Sequence, residues 1–237
     1  MPKLVVAVLA LLCVPPAAMG QTAEDNWRRC AGRDPADVVI AACTAVLQQD
    51  GVGKERLLDA HRRRAHAYAA KGDHPRAVAD FDAALRLKPG DPLTLTWRGD
   101  AYAGAGRLER AVEDFSTAIA IDANFSPAWN SRCDARARLG RLEEAMVDCN
   151  EMVARAPHIA FGYDSRGRVH LLAGRHDAAL ADFDTALRFF PRLAAALYGR
   201  AIVKRRKGDA QGARADMEAA RAIKADVAEE LALYGLR

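Results

Sequence analysis

Small and apolar side chains recur along this chain at a fixed interval of 34 residues. Each period contains a glycine, with an alanine five residues after it and a small residue seven residues before it. The glycines are Gly72, Gly106, Gly140, Gly174 and Gly208. A period of this length predicts pairs of antiparallel helices stacked in an array, rather than a compact enzyme domain. Each pair buries one face and needs a neighbour to cover the other.

With the glycine placed at position 15, the sequence divides into five units, 58–91, 92–125, 126–159, 160–193 and 194–227. Small residues at position 8 and alanine at position 20 allow the two helices of a unit to approach closely. Position 24 carries larger side chains, namely Phe81, Phe115, Cys149, Phe183 and Met217. The glycine predicts the end of the first helix, because it adopts the left-handed conformation. Proline at position 32 (Pro89, Pro157 and Pro191) predicts the end of the second.

This pattern resembles the tetratricopeptide repeat over about three quarters of the chain. The resemblance implies an all-α fold, a right-handed superhelix of antiparallel helix pairs whose first helices line a concave face. The sequence departs from the family at position 11, where Tyr68 and Tyr102 match the preferred tyrosine but Arg136, His170 and Lys204 do not. It also departs at position 32, where Ala123 and Ala225 replace proline.

Capping segments are expected on both sides of the five repeats, within one domain. Residues 21–57 predict an N-terminal capping helical unit, in which Asp34 caps a helix that has Pro35 in its first turn. Residues 50–53 form a linker, and residues 228–237 predict a C-terminal capping helix that shields the last repeat.

The first 20 residues have the pattern of a signal peptide. Lys3 precedes an apolar run over residues 4–14, and residues 18–20 are the small-x-small sequence of a cleavage site. The run is too short to span a membrane, so stable membrane insertion is not expected. Lipid attachment at Cys13 is disfavoured because the preceding Leu12 is not small. We therefore expect cleavage after Gly20 and export to the periplasm.

Four cysteines remain after this cleavage, an even number in an exported protein. Cys133 and Cys149 occupy positions 8 and 24, which lie level on the two helices of a repeat, and this predicts a disulfide between them. Cys30 and Cys43 are then the second pair. The alternative is two buried free thiols in the third repeat. No C-x-x-C sequence supports a metal or redox site.

Two charged positions repeat as regularly as the glycine. Position 7 is Arg64, Arg98, Arg132, Arg166 and Arg200, and position 23 is Asp80, Asp114, Asp148, Asp182 and Asp216. These positions lie level on adjacent helices, so we expect ion pairs within a repeat or with its neighbour. A feature present in every repeat indicates a structural ladder, because a catalytic site is built once.

The family resemblance places ligand contacts on the first helices, chiefly at positions 2, 5, 9 and 12. Positions 5 and 9 hold the candidate groove residues Arg62, His66, Thr96, Asp100, Asn130, Asp134, Asp164, Arg168, Tyr198 and Ile202. The central aspartates predict an acidic strip that favours a partner segment carrying lysine or arginine. A solvated polar face without a ligand is the alternative. The lysine–asparagine clamp for a C-terminal carboxylate is incomplete here.

The sequence contains no motif for catalysis, metal binding or a cofactor, and none is expected. Its net charge of +4, without aromatic residues between the basic ones, does not favour nucleic acid as a partner. We therefore expect a non-catalytic scaffold of the cell envelope that binds a protein or peptide in its concave groove. The alternative is a structural component of an envelope complex that uses its convex face or terminal caps. The oligomeric state stays open.

Overall fold

The computed structural model of the protein describes residues 22–236, so the predicted signal peptide and its cleavage site lie outside the described residues. Between these limits the chain is helical, with no strand. Its helices are α1 (Ala23–Ala31), α2 (Ala36–Leu47), α3 (Lys54–Ala70), α4 (His74–Leu87), α5 (Pro92–Gly104), α6 (Leu108–Ile121), α7 (Ser126–Arg138), α8 (Leu142–Arg155), α9 (Ala160–Leu172), α10 (His176–Phe189), α11 (Ala194–Arg206), α12 (Ala210–Ile223) and α13 (Val227–Ala232).

The helices pack as consecutive antiparallel pairs, beginning with α3 and α4 and ending with α11 and α12. The second helix of each pair also packs on the first helix of the next pair. First helices touch one another directly, from α3 to α5 and onward to α11, whereas second helices make no comparable contacts in the described chain. The first helices are therefore closer together, and they form the concave side of a solenoid.

The repeated glycine ends every first helix as the sequence predicts. All five glycines have φ between 74° and 88°, in the left-handed region that L-residues with a Cβ rarely adopt. The residue after each glycine donates its N–H back to the carbonyl at position 11, as Asp73 does to Tyr68 at 2.9 Å. Second helices end at position 30 in every repeat, including those without proline, at Ile121 and Ile223. Proline is therefore compatible with this end but is not required for it.

Contacts between positions 8 and 24 set the spacing within each helix pair. A Cβ on Gly99 would come within 2.5 Å of the Phe115 ring, so glycine is what lets α5 approach this phenylalanine. In the third repeat the disulfide Cys133–Cys149 occupies the same two positions, with a Cα–Cα distance of 5.4 Å and no exposed surface on either cysteine. The bond joins α7 to α8.

The N-terminal unit consists of α1 and α2, which the disulfide Cys30–Cys43 joins at a Cα–Cα distance of 4.7 Å. The expectation that Asp34 caps α2 is wrong. Pro35 is the N-cap, and its carbonyl oxygen accepts the first-turn N–H groups of Val38 at 2.9 Å and Val39 at 3.1 Å. Asp34 lies one residue too early to take that role.

The C-terminal helix is shorter than the sequence suggests. We expected a helix over residues 228–237, but α13 ends at Ala232 and a turn through Gly235, with φ of 73°, follows it. Val227 and Leu231 are fully buried, and Leu236 is also buried in the same core cluster. None of the described helices is both long and apolar enough to cross a membrane.

Candidate functional site

The repeated arginine and aspartate lie against each other in every repeat. Each arginine donates Nε and Nη2 to the two carboxylate oxygens of the aspartate 16 residues later, at 2.6 to 2.9 Å. The pairs are Arg64 with Asp80, Arg98 with Asp114, Arg132 with Asp148, Arg166 with Asp182, and Arg200 with Asp216. These bidentate contacts fix the register of the two helices.

The third guanidinium nitrogen connects one repeat to the preceding one, a contact that the sequence analysis did not identify. Nη1 of each arginine donates to a polar side chain on the preceding second helix, at 2.6 to 3.2 Å. The acceptors are Thr44, Asp82, Ser116, Asn150 and Asp184. Four of these acceptors stand at position 25. Because position 25 is polar in every repeat, the sequence pattern could have predicted a contact there.

The departures from the family at position 11 supply further cations to the same aspartates. Arg136 donates to Asp148 at 2.7 Å, and Lys204 lies 2.8 Å from Asp216. In the first repeat His61 contacts Asp80 at 2.9 Å from position 4. Burial raises the pKa of Asp80, but hydrogen bonds from Arg64 and His61 outweigh that effect, so its pKa lies below the usual value. The described ladder is a connected structural network.

The N-terminal half of the concave face is open. Arg62 lies at its end, but its guanidinium is already held by Asp91 at 2.5 Å and by Thr94 at 2.8 Å. His66 is exposed, and its ring meets the Trp97 ring edge-on with centroids 4.3 Å apart. Trp97 thus forms part of the groove wall, although the sequence analysis did not select it.

Asp100 is the central acidic group of this open half. Its side chain is exposed to solvent but lies within the concave wall, where the surrounding protein restricts its hydration. This desolvation raises the pKa of Asp100 to about 6, while a hydrogen bond from Ser131 opposes the shift and the charge of Asp134 adds to it. No described cationic side chain contributes to the shift. The carboxylate is therefore available to a cation from outside.

The C-terminal half of the concave face is closed by the chain itself. Arg168, expected on the groove surface, is buried, and it donates to Asp164, to Ser165 at 3.1 Å and to Asp134 at 3.2 Å. The hydroxyl of Tyr234 donates to Asp134, and its ring lies 5.1 Å below the Arg168 guanidinium. The predicted acidic strip is consequently divided, because Asp134 and Asp164 are paired with Arg168, whereas Asp100 has no cationic partner among the described residues.

Asp164 is held in an incomplete set of hydrogen bonds. Its side chain is buried, one oxygen accepts from Arg168, and Oδ1 receives no hydrogen bond from the described residues. Burial raises the pKa of Asp164; Arg168 opposes this, and the negative charges of Glu230 and Asp134 add to it. An unsatisfied buried acceptor is unfavourable, so a donor reaching this oxygen would gain free energy.

The other candidate groove residues divide in the same way. Thr96 is buried and donates to the Pro92 carbonyl at 2.9 Å. Tyr198 and Ile202 are buried in the core cluster that also contains Val227 and Leu231 of α13, so they are not available on the surface. Asn130 lines a shallow pocket of about 280 Å³ beside Ser131 and Phe161.

No cluster of three or more His, Cys, Asp or Glu side chains within residues 22–236 is arranged to hold a metal ion. The open half of the concave face presents His66, Trp97, Asp100 and Asn130. The sequence analysis missed Tyr234, since its contact with Asp134 spans 100 residues and does not follow the 34-residue period.

Comparison with known proteins agrees with the fold described above. The family model described as tetratricopeptide repeat matches residues 54–92, 62–127, 98–158 and 165–228. A tetratricopeptide repeat protein from Parabacteroides merdae is similar in structure, with a TM-score of 0.71 and 18% identity over 90% of this chain and 82% of that one. A thermophilic protein of this kind from Thermus thermophilus has a TM-score of 0.66 and 22% identity over 76% of this chain and 100% of that one.

A third similar structure is that of YrrB, described as a protein of the same repeat type with an unusual peptide-binding site. Its TM-score is 0.52, with 18% identity over 83% of this chain and 98% of that one. At these identities the likeness concerns the fold alone. A search of the curated proteins found no match.

Proposed function

Because this chain belongs to the tetratricopeptide repeat family, whose members are generally non-catalytic scaffolds for protein–protein interaction, we propose that it binds a segment of a partner protein in the open half of its concave face. The site consists of His66, Trp97, Asp100, Asn130 and Ser131. The C-terminal half, beyond Asp134, is covered by the chain's own residues and is not part of this site.

The observation that supports this proposal is the state of the Asp100 carboxylate. Each aspartate of the ladder has at least one arginine partner, whereas Asp100 lies on the inner wall without a described cation. A lysine or arginine of a partner segment would restore a charge pair in a partly desolvated groove. Trp97, three residues before Asp100 on α5, would contact the stem of such a side chain.

We further propose that this binding occurs in the periplasm. Both described disulfides, Cys30–Cys43 and Cys133–Cys149, fit an oxidising compartment. Each disulfide joins the two helices of one pair, so each stabilises the array in a compartment where it stays oxidised. The signal peptide expected over residues 1–20 is the route for this export.

A second candidate function is a structural component of an envelope complex that docks through the convex face. The observation that favours it is the exposure of large apolar side chains on second helices. Val147 on α8 is 58% exposed, and Ile121 at the end of α6 is 49% exposed. A partner covering these side chains would leave the groove unoccupied.

Affinity purification of the tagged protein from cells that express it separates the two functions. Asp100→Lys reverses the charge at the centre of the groove, so a partner held through a basic side chain should be lost. Glu143→Lys is the matched control, since Glu143 is an exposed acid on the second helix α8 and undergoes the same charge change.

We expect the Asp100→Lys protein to retain its helical content by circular dichroism while recovery of the partner falls at least about tenfold, as for loss of a charge-assisted contact. The Glu143→Lys protein should recover the partner normally. Normal recovery by Asp100→Lys, together with loss on Val147→Lys, would exclude the groove and favour the convex face.

A further inference from the structure

The last four described residues, 233–236, are called here the tail. The tail follows α13 and lies over the first helices of the third and fourth repeats. Tyr234 is its central contact, since the hydroxyl donates to Asp134 on α7 and the ring packs below Arg168 on α9. Leu236 is 2% exposed and anchors the end of the tail in the core cluster of α13.

We propose that the end of the groove formed by Asp134, Asp164 and Arg168 is a second binding site, specific for a tyrosine-bearing segment, and that the tail is its resident intramolecular ligand. A partner segment that extends past Asp134 must displace the tail. This last step rests on the proposed function, whereas the site itself does not.

The site matches a phenol in two respects. The Tyr234 hydroxyl donates a hydrogen bond to the Asp134 carboxylate, and this bond is charge-assisted. The Arg168 guanidinium lies 5.1 Å from the ring centroid, where a cation interacts with the π face. Phenylalanine would keep only the second contact. A lysine would lose the π contact, and the charge of Arg168 would repel its ammonium group.

The tail makes contacts beyond those needed to cap the last repeat. Val227 and Leu231 of α13 already cover α11, and they are fully buried. Tyr234 packs against this core as well, but it also reaches back over 100 residues to the third repeat, a contact that capping of the fifth repeat does not require. The tail is therefore placed as a groove ligand is placed.

The tail is also an imperfect ligand. It leaves Oδ1 of Asp164 buried without a hydrogen bond from the described residues. Leu233, next to Tyr234, is 60% exposed and contributes little burial. A partner segment that offers a tyrosine and one further donor would satisfy this oxygen, so it would gain free energy by replacing the tail.

The test uses the full chain with Tyr234→Ala and Leu236→Ala, which opens the site but keeps Val227 and Leu231 in the core. The probe is an acetylated and amidated pentapeptide with the sequence of residues 232–236. We expect saturable shifts of backbone amide resonances around Asp134 and Arg168. The wild-type chain should bind the probe at least about tenfold more weakly, because its own tail competes at a high effective concentration.

A pentapeptide with phenylalanine in place of the tyrosine is the chemical control, and it should bind about tenfold more weakly than the tyrosine probe. Equal binding of the two peptides, equal binding by wild type and double variant, or no shifts in a folded double variant would overturn the proposal.

If the double variant does not fold, Tyr234→Phe in the full chain replaces it. Amide hydrogen exchange of residues 234–236 should then accelerate at least about fivefold, with α4 unchanged; unchanged exchange would overturn the proposal.

The probe also distinguishes this inference from the proposed function. His66→Ala, added to the double variant, should leave binding of the tyrosine peptide intact, since His66 contacts Trp97 in the open half and lies outside this site. Partner recovery that depends on Asp100, combined with no peptide binding, would mean that the proposed function holds and this inference fails. Peptide binding without any partner recovery would mean the reverse.

Discussion

The aspartate at position 23 of each repeat has a variable number of cationic partners. Asp114 has Arg98 alone as its described salt-bridge partner, while Asp148 has both Arg132 and Arg136. The second cation stands at position 11, where the sequence departs from the tyrosine of the family. A basic residue at position 11 thus gives the aspartate a second cationic partner. The sequence alone does not reveal this contact, because it depends on the direction of the side chain.

This difference predicts unequal effects of removing the ladder arginines. Arg98→Ala leaves Asp114 largely buried without a cation, so the free energy of unfolding should fall by about 3 kcal/mol. Arg132→Ala should cost about half as much, since Arg136 still donates to Asp148. Urea unfolding of both variants measures this. Exposed Arg141→Ala is the control, and a loss for Arg98→Ala no larger than the control's would remove the ladder from the account.

The pKa of Asp100 gives a prediction for pH dependence. The folded chain binds this proton more tightly than the unfolded chain, because burial in the concave wall raises the pKa of Asp100 to about 6, above the usual value for aspartate. The contribution of Asp100 to stability therefore falls as pH rises from about 4 to about 6. Asp100→Asn should remove this slope. Carbon-13 titration of the carboxyl group checks the origin directly, and a midpoint near the usual aspartate value would contradict it.

At the scale of elements, the 34-residue period was sufficient to predict the helix pairs and the end of each first helix. The glycine, the small residue at position 8 and the large one at position 24 act locally and repeat, so they are visible in the sequence. The boundary at Asp34 and the length of the last helix were wrong. Both lie outside the repeats, where each residue has a context of its own.

Close packing at position 8 can be tested in the second repeat. Gly99→Ala places a methyl group against the Phe115 ring, so the free energy of unfolding should fall by about 1–3 kcal/mol from overpacking. Thermal unfolding measures the loss. The double variant Gly99→Ala with Phe115→Leu should recover part of it, since a smaller side chain makes room for the methyl group. An additive double variant would mean that the two positions do not contact each other.

The disulfide between α7 and α8 gives a second prediction for the elements. Replacement of both Cys133 and Cys149 by alanine should lower the free energy of unfolding by about 2–4 kcal/mol. The unmodified protein, purified without reductant and unfolded in urea with iodoacetamide, should show no alkylation of these cysteines by mass spectrometry. Alkylation of both would mean that they are free thiols, and it would weaken the case for export.

At the scale of the whole molecule, the concave face has an open half around Asp100 and a closed half around Asp134 and Arg168. The family resemblance predicted one continuous groove, since it assigns the same positions in every repeat. The structure differs because α13 covers Tyr198 and Ile202, and the tail places Tyr234 beside Asp134. Contacts of this range depend on how far the solenoid curves, and the sequence of a single repeat contains no information on that.

The most direct test of the central claim is photocrosslinking in intact cells from residues 66, 100 and 130 of the open half. Residue 147 on the convex face serves as the control position. We expect one dominant partner to be captured from all three groove positions and identified by mass spectrometry, with little capture from residue 147. Strong capture from residue 147 with none from the groove would contradict the account and assign the binding function to the convex face.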